Sequence, residues 1–493
     1  MPTRLIEIVE NLPAARVLLV GDLMVDRYIY GTADRLSPDA PVPVLHHHHE
    51  ESRLGGAGRV AADLSTLGAK VSVVSVVGRD ATGKQIRAML DECGADASRV
   101  IETTDRPSTA KVRFVGLAND RHPQQMIRVD YEDASPVDDA LMQQVLTSYE
   151  SALASADAIC IEDYNKGLCR DEVCRQMIAM ARRRSVPVMI DPARIKDYSK
   201  YAGATAITPN RVEAEAATGI ACKASEQYQA CAESLLNSLN LDAAVLTLDK
   251  HGAYLAARDG ERRWLKTRER KVYDVAGAGD MVLSVLTLAR VAGASWPEAV
   301  ALANVAGGLE VERFGSVPVT RQEILQELLS EAHEHLGKQR SLDRLLPELA
   351  RHRASGKRIV FTNGCFDIIH LGHVKYFQWA KQQGDILVVG VNTDAGIRRL
   401  KGAKRPVINE EDRVGVLEEL ESIDYLVRFD QDTPIELIRQ IRPDVLVKGE
   451  DYKKEDVVGW DVVESCGGRV ALAPLVDGRS TSAVIQKILD AYR

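Results

Sequence analysis

The 493-residue sequence contains no CxxC pair: its eight cysteines stand singly at 93, 160, 169, 174, 222, 231, 365 and 466. That scatter argues against a zinc knuckle or a disulfide framework and predicts reduced thiols, with the cytoplasm as the expected compartment. Nor is there an excess of positive charge. Lys and Arg number 63 against 71 Asp and Glu, a net charge of −8, so no footprint for nucleic acid is visible. Long apolar runs are missing too. The most apolar helical stretch, MVLSVLTLARVAGA at 281–294, contains Arg290 and is too short to cross a bilayer, so no membrane association is expected. The first residues, MPTRLIEIVENLPAARVLLVGD, mix acidic side chains into the apolar ones and lack a signal-peptide layout. No internal repeat or low-complexity tract stands out. What is there is ordinary for a soluble globular chain, 45% hydrophobic and 27% charged. The length exceeds one ordinary core, so two or three domains are expected. Phosphorylated small molecules stay open as ligands, because local basic groups can bind them inside an acidic protein.

Through the first two-thirds, β-like apolar runs alternate with helical stretches. VLLVGD (17–22), KVSVVSVVG (70–78), AICIED (158–163), PVMIDP (187–192) and AAVLTL (243–248) read as buried strands, several ending in Asp or Gly. Amphipathic segments such as TGKQIRAMLDECG (82–94) lie between them. The alternation predicts a mainly parallel α/β sheet with right-handed crossovers and places ligands at the carboxyl ends of the strands. After about residue 320 the pattern changes. Residues 320–357 are charged and helical with no β run, and RIVFTNG (358–364) starts a new series through GDILVVGVNTD (384–394) and PDVLVKG (443–449). The expected division is a domain over 1–335, a helical linker over 336–357 and a second domain over 358–493. HHHH at 46–49 reads as a solvated strand or lid surface, since strand side chains alternate sides and four cannot face one metal. ARRRS (181–185) reads as the exposed tail of a helix.

DVAGAGD (274–280) runs directly into the apolar helix that follows it. Glycines let backbone N–H groups approach a ligand, and the helix start adds a partial positive charge, so together they can cradle anionic oxygens. Asp280 stands at the mouth of that cradle. A carboxylate there either caps the helix or removes a proton from an attacking hydroxyl, and GxGD alone does not separate the two. Its company is informative. GDLMVDRY (21–28) carries Asp22 and Asp26 at a strand end, LGGAGRVAADLSTLGA (54–69) sets a Gly-Gly turn before a helix, and TPNRVEAE (208–215) spaces Asn210 and Glu213 one turn apart, within reach of a hydrated Mg²⁺.

The set GD…D, GGAG, PNxxE and DxxGAGD, in this order, resembles the ribokinase-like (PfkB) sugar kinases over roughly residues 1–320. The resemblance implies that Asp280 is the general base and that Ala276, Gly277, Ala278 and Gly279 form the anion hole for a migrating γ-phosphoryl group. It implies that Asn210, Arg211, Val212 and Glu213 organise Mg²⁺–ATP, with the ion reached through water. Thr247 and Gly252 fall where the family's nucleotide loop belongs, although Asp249 replaces a glycine, and Asn304 would lie near the adenine. Asp26, Gly55 and Gly56 match sugar-contacting positions. Lys166 is added as a sugar-site candidate, and Lys111, Arg113, Arg128 and Lys166, basic and near strand ends, are the candidates for holding a phosphate carried by the sugar.

NGCFDIIHLGH (363–373) holds a cysteine, an aspartate and two histidines. A zinc site needs three or four protein ligands, and no nearby His or Cys cluster completes a shell around His370 and His373. The other reading is a loop between a strand and a helix, where Gly372 allows close backbone approach and both imidazoles donate to a triphosphate. GCFDxxHxGH resembles the signature of the nucleotidyltransferase superfamily related to cytidylyltransferases. That resemblance places Gly364, Cys365, Phe366, Asp367, Gly372, His370 and His373 at the nucleotide, with Asp367 fixing the loop and Cys365 as a small buried filler. It also places Lys448 near the leaving pyrophosphate, and Arg479, Ser480, Thr481 and Ser482 as donors before the last helix. Lys404 and Arg405 form a basic loop that could steer phosphates, and Glu450 stands where a glycine is expected.

Together the two halves imply a ribokinase-like α/β domain with a mainly parallel sheet and a small lid, followed by a Rossmann-like α/β nucleotidyltransferase domain. The pairing resembles the bifunctional heptose enzymes of lipopolysaccharide synthesis. The implied substrates are small molecules, heptose phosphates and ATP as co-substrate of both domains, with Mg²⁺ as cofactor and a homodimer as the assembly. Phosphate motifs do not read the base, so another sugar or polyol kinase making a CDP-linked product is the alternative.

Overall fold

In the computed structural model the described residues are 2–118, 121–268, 270, 277–313, 318–474, 485, 487, 490 and 491. The chain divides into two compact units, Met1–Glu331 and Ala332–Arg493. In chain order the first contains β1 (Arg16–Gly21), β2 (Leu23–Leu36), β3 (Pro43–Gly56), β4 (Lys70–Gly78), β5 (Asp96–Thr103), β6 (Thr109–Ala118), β7 (Arg121–Tyr131), β8 (Ala158–Glu162), β9 (Val188–Asp191), β10 (Ala206–Ile207), β11 (Ala243–Thr247), β12 (Ala253–Ala257) and β13 (Arg262–Leu265). The second contains β14 (Ile359–Gly364), β15 (Ile386–Asn392), β16 (Tyr425–Phe429), β17 (Val445–Gly449) and β18 (Arg469–Ala473).

The main sheet of the first unit has nine strands in the order β13-β12-β11-β10-β9-β8-β1-β4-β5. All neighbours are parallel except β11–β12 and β12–β13, which turn back along one edge. Its strands are near-continuous apolar runs because both faces are covered. Along β1, Val17 and Leu19 enter one buried cluster while Leu18 and Val20 enter the other. A separate four-stranded lid, ordered β3-β2-β6-β7, is largely exposed along its outer lengths. His46–His49 lie on its exposed strand β3, and the ring of His49 stacks on Tyr30 at 4.6 Å.

The second unit is a fully parallel five-stranded sheet in the order β16-β15-β14-β17-β18. Ile359 and Phe361 pack on one side and Val360 on the other. The helix Leu342–Ala354 falls within the stretch predicted as a linker, yet Leu345 and Leu349 are fully buried with Ile359 and Phe361. Four-residue spacing puts both leucines on one face of that helix, which covers the sheet. In both units the strand order reverses beside the first strand, and such a reversal opens a crevice at the carboxyl ends.

Candidate active sites

In the first unit, three carboxylates converge at strand ends. Glu162 ends β8, Asp191 ends β9, and Asp280 is the third residue of the helix Ala278–Val291; one oxygen of each lies within 4.8 Å of the others. Among the described residues this is the one group of three or more metal-ligating side chains that close together. Glu162 is 2% exposed and its Oε2 has no hydrogen-bond partner, whereas Asp191 Oδ1 accepts from the Thr208 hydroxyl at 3.1 Å. Burial pushes the Asp280 carboxyl up to about 7, with Glu310 and Asp26 adding to the effect and Arg59 and Lys111 opposing it. Burial and mutual repulsion likewise raise Glu162 and Asp191 well above the usual carboxylate range. Behind the cluster, Arg59 is buried between Asp63 and Glu310.

Gly277 caps the Asp280 helix with a φ of 91°, a conformation that favours glycine. A Cβ on Gly279 would lie 3.5 Å from Asp191 Oδ2, ordinary van der Waals contact, which places this stretch of backbone beside the acid cluster. Ala276 lies outside the described residues. Asn210 and Glu213 are engaged with each other: the Asn210 side chain accepts from the N–H groups of Val212 and Glu213, and Glu213 accepts from the N–H of Asn210 at 2.8 Å. This capping box still leaves Glu213 close enough to Asp191 to raise its carboxyl.

The sugar candidates gather where β2 meets β3. Gly55 pairs with Met24 and Gly56 with Leu23; a Cβ on Gly55 would lie 2.7 Å from Asp26 Oδ2. Gly56 has a φ of 55° and sits against the carbonyl of Asp22. Asp26 is bonded by Arg113. Lys166 is ion-paired with Glu132 at 2.7 Å, and its backbone N–H donates to Asp22 Oδ2 at 3.0 Å alongside that of Tyr164.

Asn210, Thr247, Gly252, Ala278, Gly279 and Asn304 line one cavity of about 300 Å³. Gly252 is fixed there by its φ of 87°, and a Cβ would lie 2.2 Å from the carbonyl of Leu265. Asp249 takes a φ of 50°, which explains why a glycine suits that position; aspartate tolerates it better than most residues and pairs with Arg211. Val212 is exposed and does not line the cavity.

In the second unit, β14 and β17 flank the reversal point. His370 caps the helix Leu371–Lys381, its Nδ1 accepting from the Gly372 N–H at 3.1 Å. The rings of His370 and His373 lie 4.1 Å apart. His373 Nδ1 is buried without a hydrogen-bond partner, and burial with the neighbouring His370 pushes its imidazole down to about 4. Phe366 holds the loop in a left-handed conformation, φ 47°, strained for a bulky residue, with its ring against Gly364 and Phe377.

Asp367 is buried and accepts from the N–H groups of Val407 and Ile408 and from Arg405, so Arg405 is committed to the loop. Cys365, expected as a buried filler, is only half-buried, and its Sγ donates weakly to Asn392 Oδ1 at 3.9 Å. Lys448 Nζ donates to the Asn363 carbonyl and Oδ1 at 2.9 and 2.7 Å, and burial lowers its ammonium to about 8. Lys404 and Glu450 are exposed. Arg479, Ser480, Thr481 and Ser482 lie outside the described residues.

Sequence reasoning missed four contributors. Glu162 and Asp191 were visible only as acidic ends of apolar strands. Asn363 precedes the motif glycine, and Arg413 is a fully buried arginine bonded to the carbonyls of Cys365, Asn392 and Ile408 and to Asp394. Nothing local in the sequence marks Arg413.

Comparison with known proteins agrees with this division. The pfkB family carbohydrate kinase model matches residues 14–322, and the cytidylyltransferase-like model matches residues 361–478. Among solved structures, the ribokinase of Arabidopsis thaliana is 21% identical with a TM-score of 0.51, covering 64% of this chain and 99% of that one. Phosphofructokinase-2 of Escherichia coli is 16% identical with a TM-score of 0.54 over 64% of this chain and 99% of its own. Both likenesses concern the fold of the first unit. Curated relatives named "Bifunctional protein HldE" extend over both units: the one from Citrifermentans bemidjiense is 45% identical over 98% of each chain, and the one from Geobacter metallireducens 46% over 96% of each. With identities at that level along nearly its whole length, the chain belongs to the family of bifunctional HldE proteins, in which a carbohydrate kinase is joined to a nucleotidyltransferase.

Proposed function

We propose that the chain carries out two steps of ADP-heptose synthesis for the lipopolysaccharide core. The first unit phosphorylates D-glycero-β-D-manno-heptose 7-phosphate at C1 with ATP, giving the 1,7-bisphosphate. After a separate phosphatase removes the 7-phosphate, the second unit joins heptose 1-phosphate to AMP from ATP and releases pyrophosphate. The observation that carries this reading is the presence in one chain of two phosphate-handling centres, a buried base at the strand ends of one unit and paired imidazoles at the reversal point of the other.

In the first centre, Asp280 takes the proton of the anomeric hydroxyl, and its elevated pKa suits proton exchange near neutral pH. The N–H groups at the glycine-rich helix start receive the oxygens of the transferred phosphoryl group. Asp26, Gly55 and Gly56 hold the sugar, and the cavity lined by Thr247, Gly252 and Asn304 takes the nucleotide. Crowded carboxylates with an unpartnered buried oxygen fit a Mg²⁺ ion, a hard cation that prefers oxygen ligands. Glu162 and Asp191 would hold it, with Glu213 acting through water, and the ion would offset charge on the triphosphate.

In the second centre, the sugar phosphate oxygen attacks the α-phosphorus and needs no strong base, being anionic already. His373 stays neutral at pH 7 and acts as a hydrogen-bonding group beside His370, while Lys448 supplies positive charge toward the leaving pyrophosphate. Incubation of the purified protein with heptose 1-phosphate and either ATP or CTP, read by product mass, tests the reading. An ADP-linked sugar is expected; a CDP-linked product would replace this function with the alternative.

A further inference from the structure

Register along the lid sheet collects charged side chains on the face that carries Asp26. Asp26 stands opposite Arg53 in β3 and Lys111 in β6; Tyr28 stands opposite Glu51 and Arg113. Lys111 and Arg113 in turn stand opposite Asp130 and Arg128 in β7. Residues directly opposite one another share a face, and the contacts agree. Arg113 bonds Asp26, Arg53 pairs with Glu51 at 2.7 Å, and Arg128 pairs with Asp130 at 2.8 Å. The guanidinium groups of Arg53 and Arg113 lie 5.0 and 5.1 Å from the centre of the Tyr28 ring.

Lys111 differs from these three arginines. Its Nζ lies 4.9 Å from the centre of the Tyr164 ring, and no carboxylate oxygen of the described residues comes within 4.0 Å. Burial lowers its ammonium below the usual lysine range; Arg113 and Arg128 add to this, and Asp26 and Asp130 oppose it. A half-buried cation beside two guanidinium groups is disfavoured until an anion joins it. The face also looks toward the reaction centre, since Asp26 and Lys111 both act on Asp280, and Asp280 in turn acts on Tyr164. Lys166, the other lysine near the sugar candidates, already has Glu132 as its partner.

We infer that Lys111, with Arg113 and Arg128 beside it, holds the phosphomonoester that the sugar carries when it enters the kinase site. The inference rests on the reading of that site as one for a sugar phosphate, and adds which residues recognise the phosphate. Asp26 and Asp280 then deal with hydroxyl groups, and the lid reads the charged end of the substrate. A lid strand thereby sets specificity while the main sheet sets the chemistry.

The test compares Lys111→Gln, Lys111→Arg and the wild-type chain on heptose 7-phosphate and on the same heptose after phosphatase treatment. Nucleotidyl transfer by the same full-length chain reports folding. In Lys111→Gln the preference for the phosphorylated sugar, as a ratio of kcat/KM values, should fall roughly 10-fold or more, mainly through KM. Lys111→Arg should recover most of it. Unchanged preference in Lys111→Gln, or an equal loss on both sugars, overturns the assignment of Lys111. A wild-type chain without any preference for the phosphorylated sugar overturns the reading of the site itself, and the wild-type measurement alone shows which of the two has failed.

Discussion

Replacing Asp280 by Asn separates catalysis from stability in the first unit. The carboxylate is the base candidate, so its loss should lower phosphorylation of heptose 7-phosphate by about 10²- to 10⁴-fold, the usual contribution of a positioned proton acceptor. Its charge, however, is unfavourable to the fold. Asp280 sits within 4.8 Å of Glu162 and Asp191, and its pKa is raised from 3.8 to about 7. The folded state therefore holds a proton more tightly than the unfolded chain, and stability is lost as pH rises from about 4 through about 7. Above that pH the charge withholds at most roughly 4 kcal/mol. Asparagine removes it and leaves the two remaining carboxylates easier to ionise. In EDTA at pH 8 the variant should thus unfold at the same temperature as wild type or higher, while nucleotidyl transfer is retained. Coupled assays of ADP and pyrophosphate release, with calorimetry of the full chain, read all three. A variant that keeps kinase activity within a few-fold of wild type would refute the role of Asp280. One that loses both activities without unfolding would refute the independence of the two centres.

His373→Ala should abolish adenylyl transfer and spare the kinase; Nδ1 has no hydrogen-bond partner to lose, so any drop in unfolding temperature should come only from the ring contacts with His370 and Phe366. Lys448 is lowered to about 8, so wild-type adenylyl transfer should decline as pH rises through 8, and Lys448→Arg should remove that decline in a pH–rate profile. Arg413→Met leaves three carbonyls and Asp394 without their donor and should cost about 3–5 kcal/mol in denaturant unfolding of the second unit. Gly252→Ala forces a Cβ to 2.2 Å from the Leu265 carbonyl at a φ of 87°, and should raise the KM for ATP in the kinase assay with no effect on adenylyl transfer.

The main strands were legible because burial on both faces makes them continuous apolar runs: VLLVGD and ILVVGVN have nowhere polar to point. The lid was less so. Strand β3, PVLHHHHEESRLGG, is mostly exposed and shows no clean alternation; cross-strand pairing with β2 holds it, and pairing partners are not encoded locally. Asp280, His370 and His373 were accessible because glycines beside chemistry-bearing residues mark a backbone that must approach a ligand. The spacing of Asn210 and Glu213 fits a capping box as well as the proposed Mg²⁺-organising role, and the structure forms the capping box. Glu162 and Asp191 come from separate strands, and only the parallel pairing of β8 with β9 sets their carboxylates together. The leucines of the helix Leu342–Ala354 show how charge can mislead: Leu345 and Leu349 form a buried stripe inside a segment dominated by charged residues.

The most direct test of the two-centre account is phosphorus NMR on the purified protein with heptose 7-phosphate, ATP and Mg²⁺, run with and without a 7-phosphatase. The account predicts the 1,7-bisphosphate as the only new sugar phosphate without the phosphatase, and ADP-heptose with pyrophosphate once it is added. Absence of the bisphosphate, or an ADP-linked sugar formed before the 7-phosphate is removed, would contradict it.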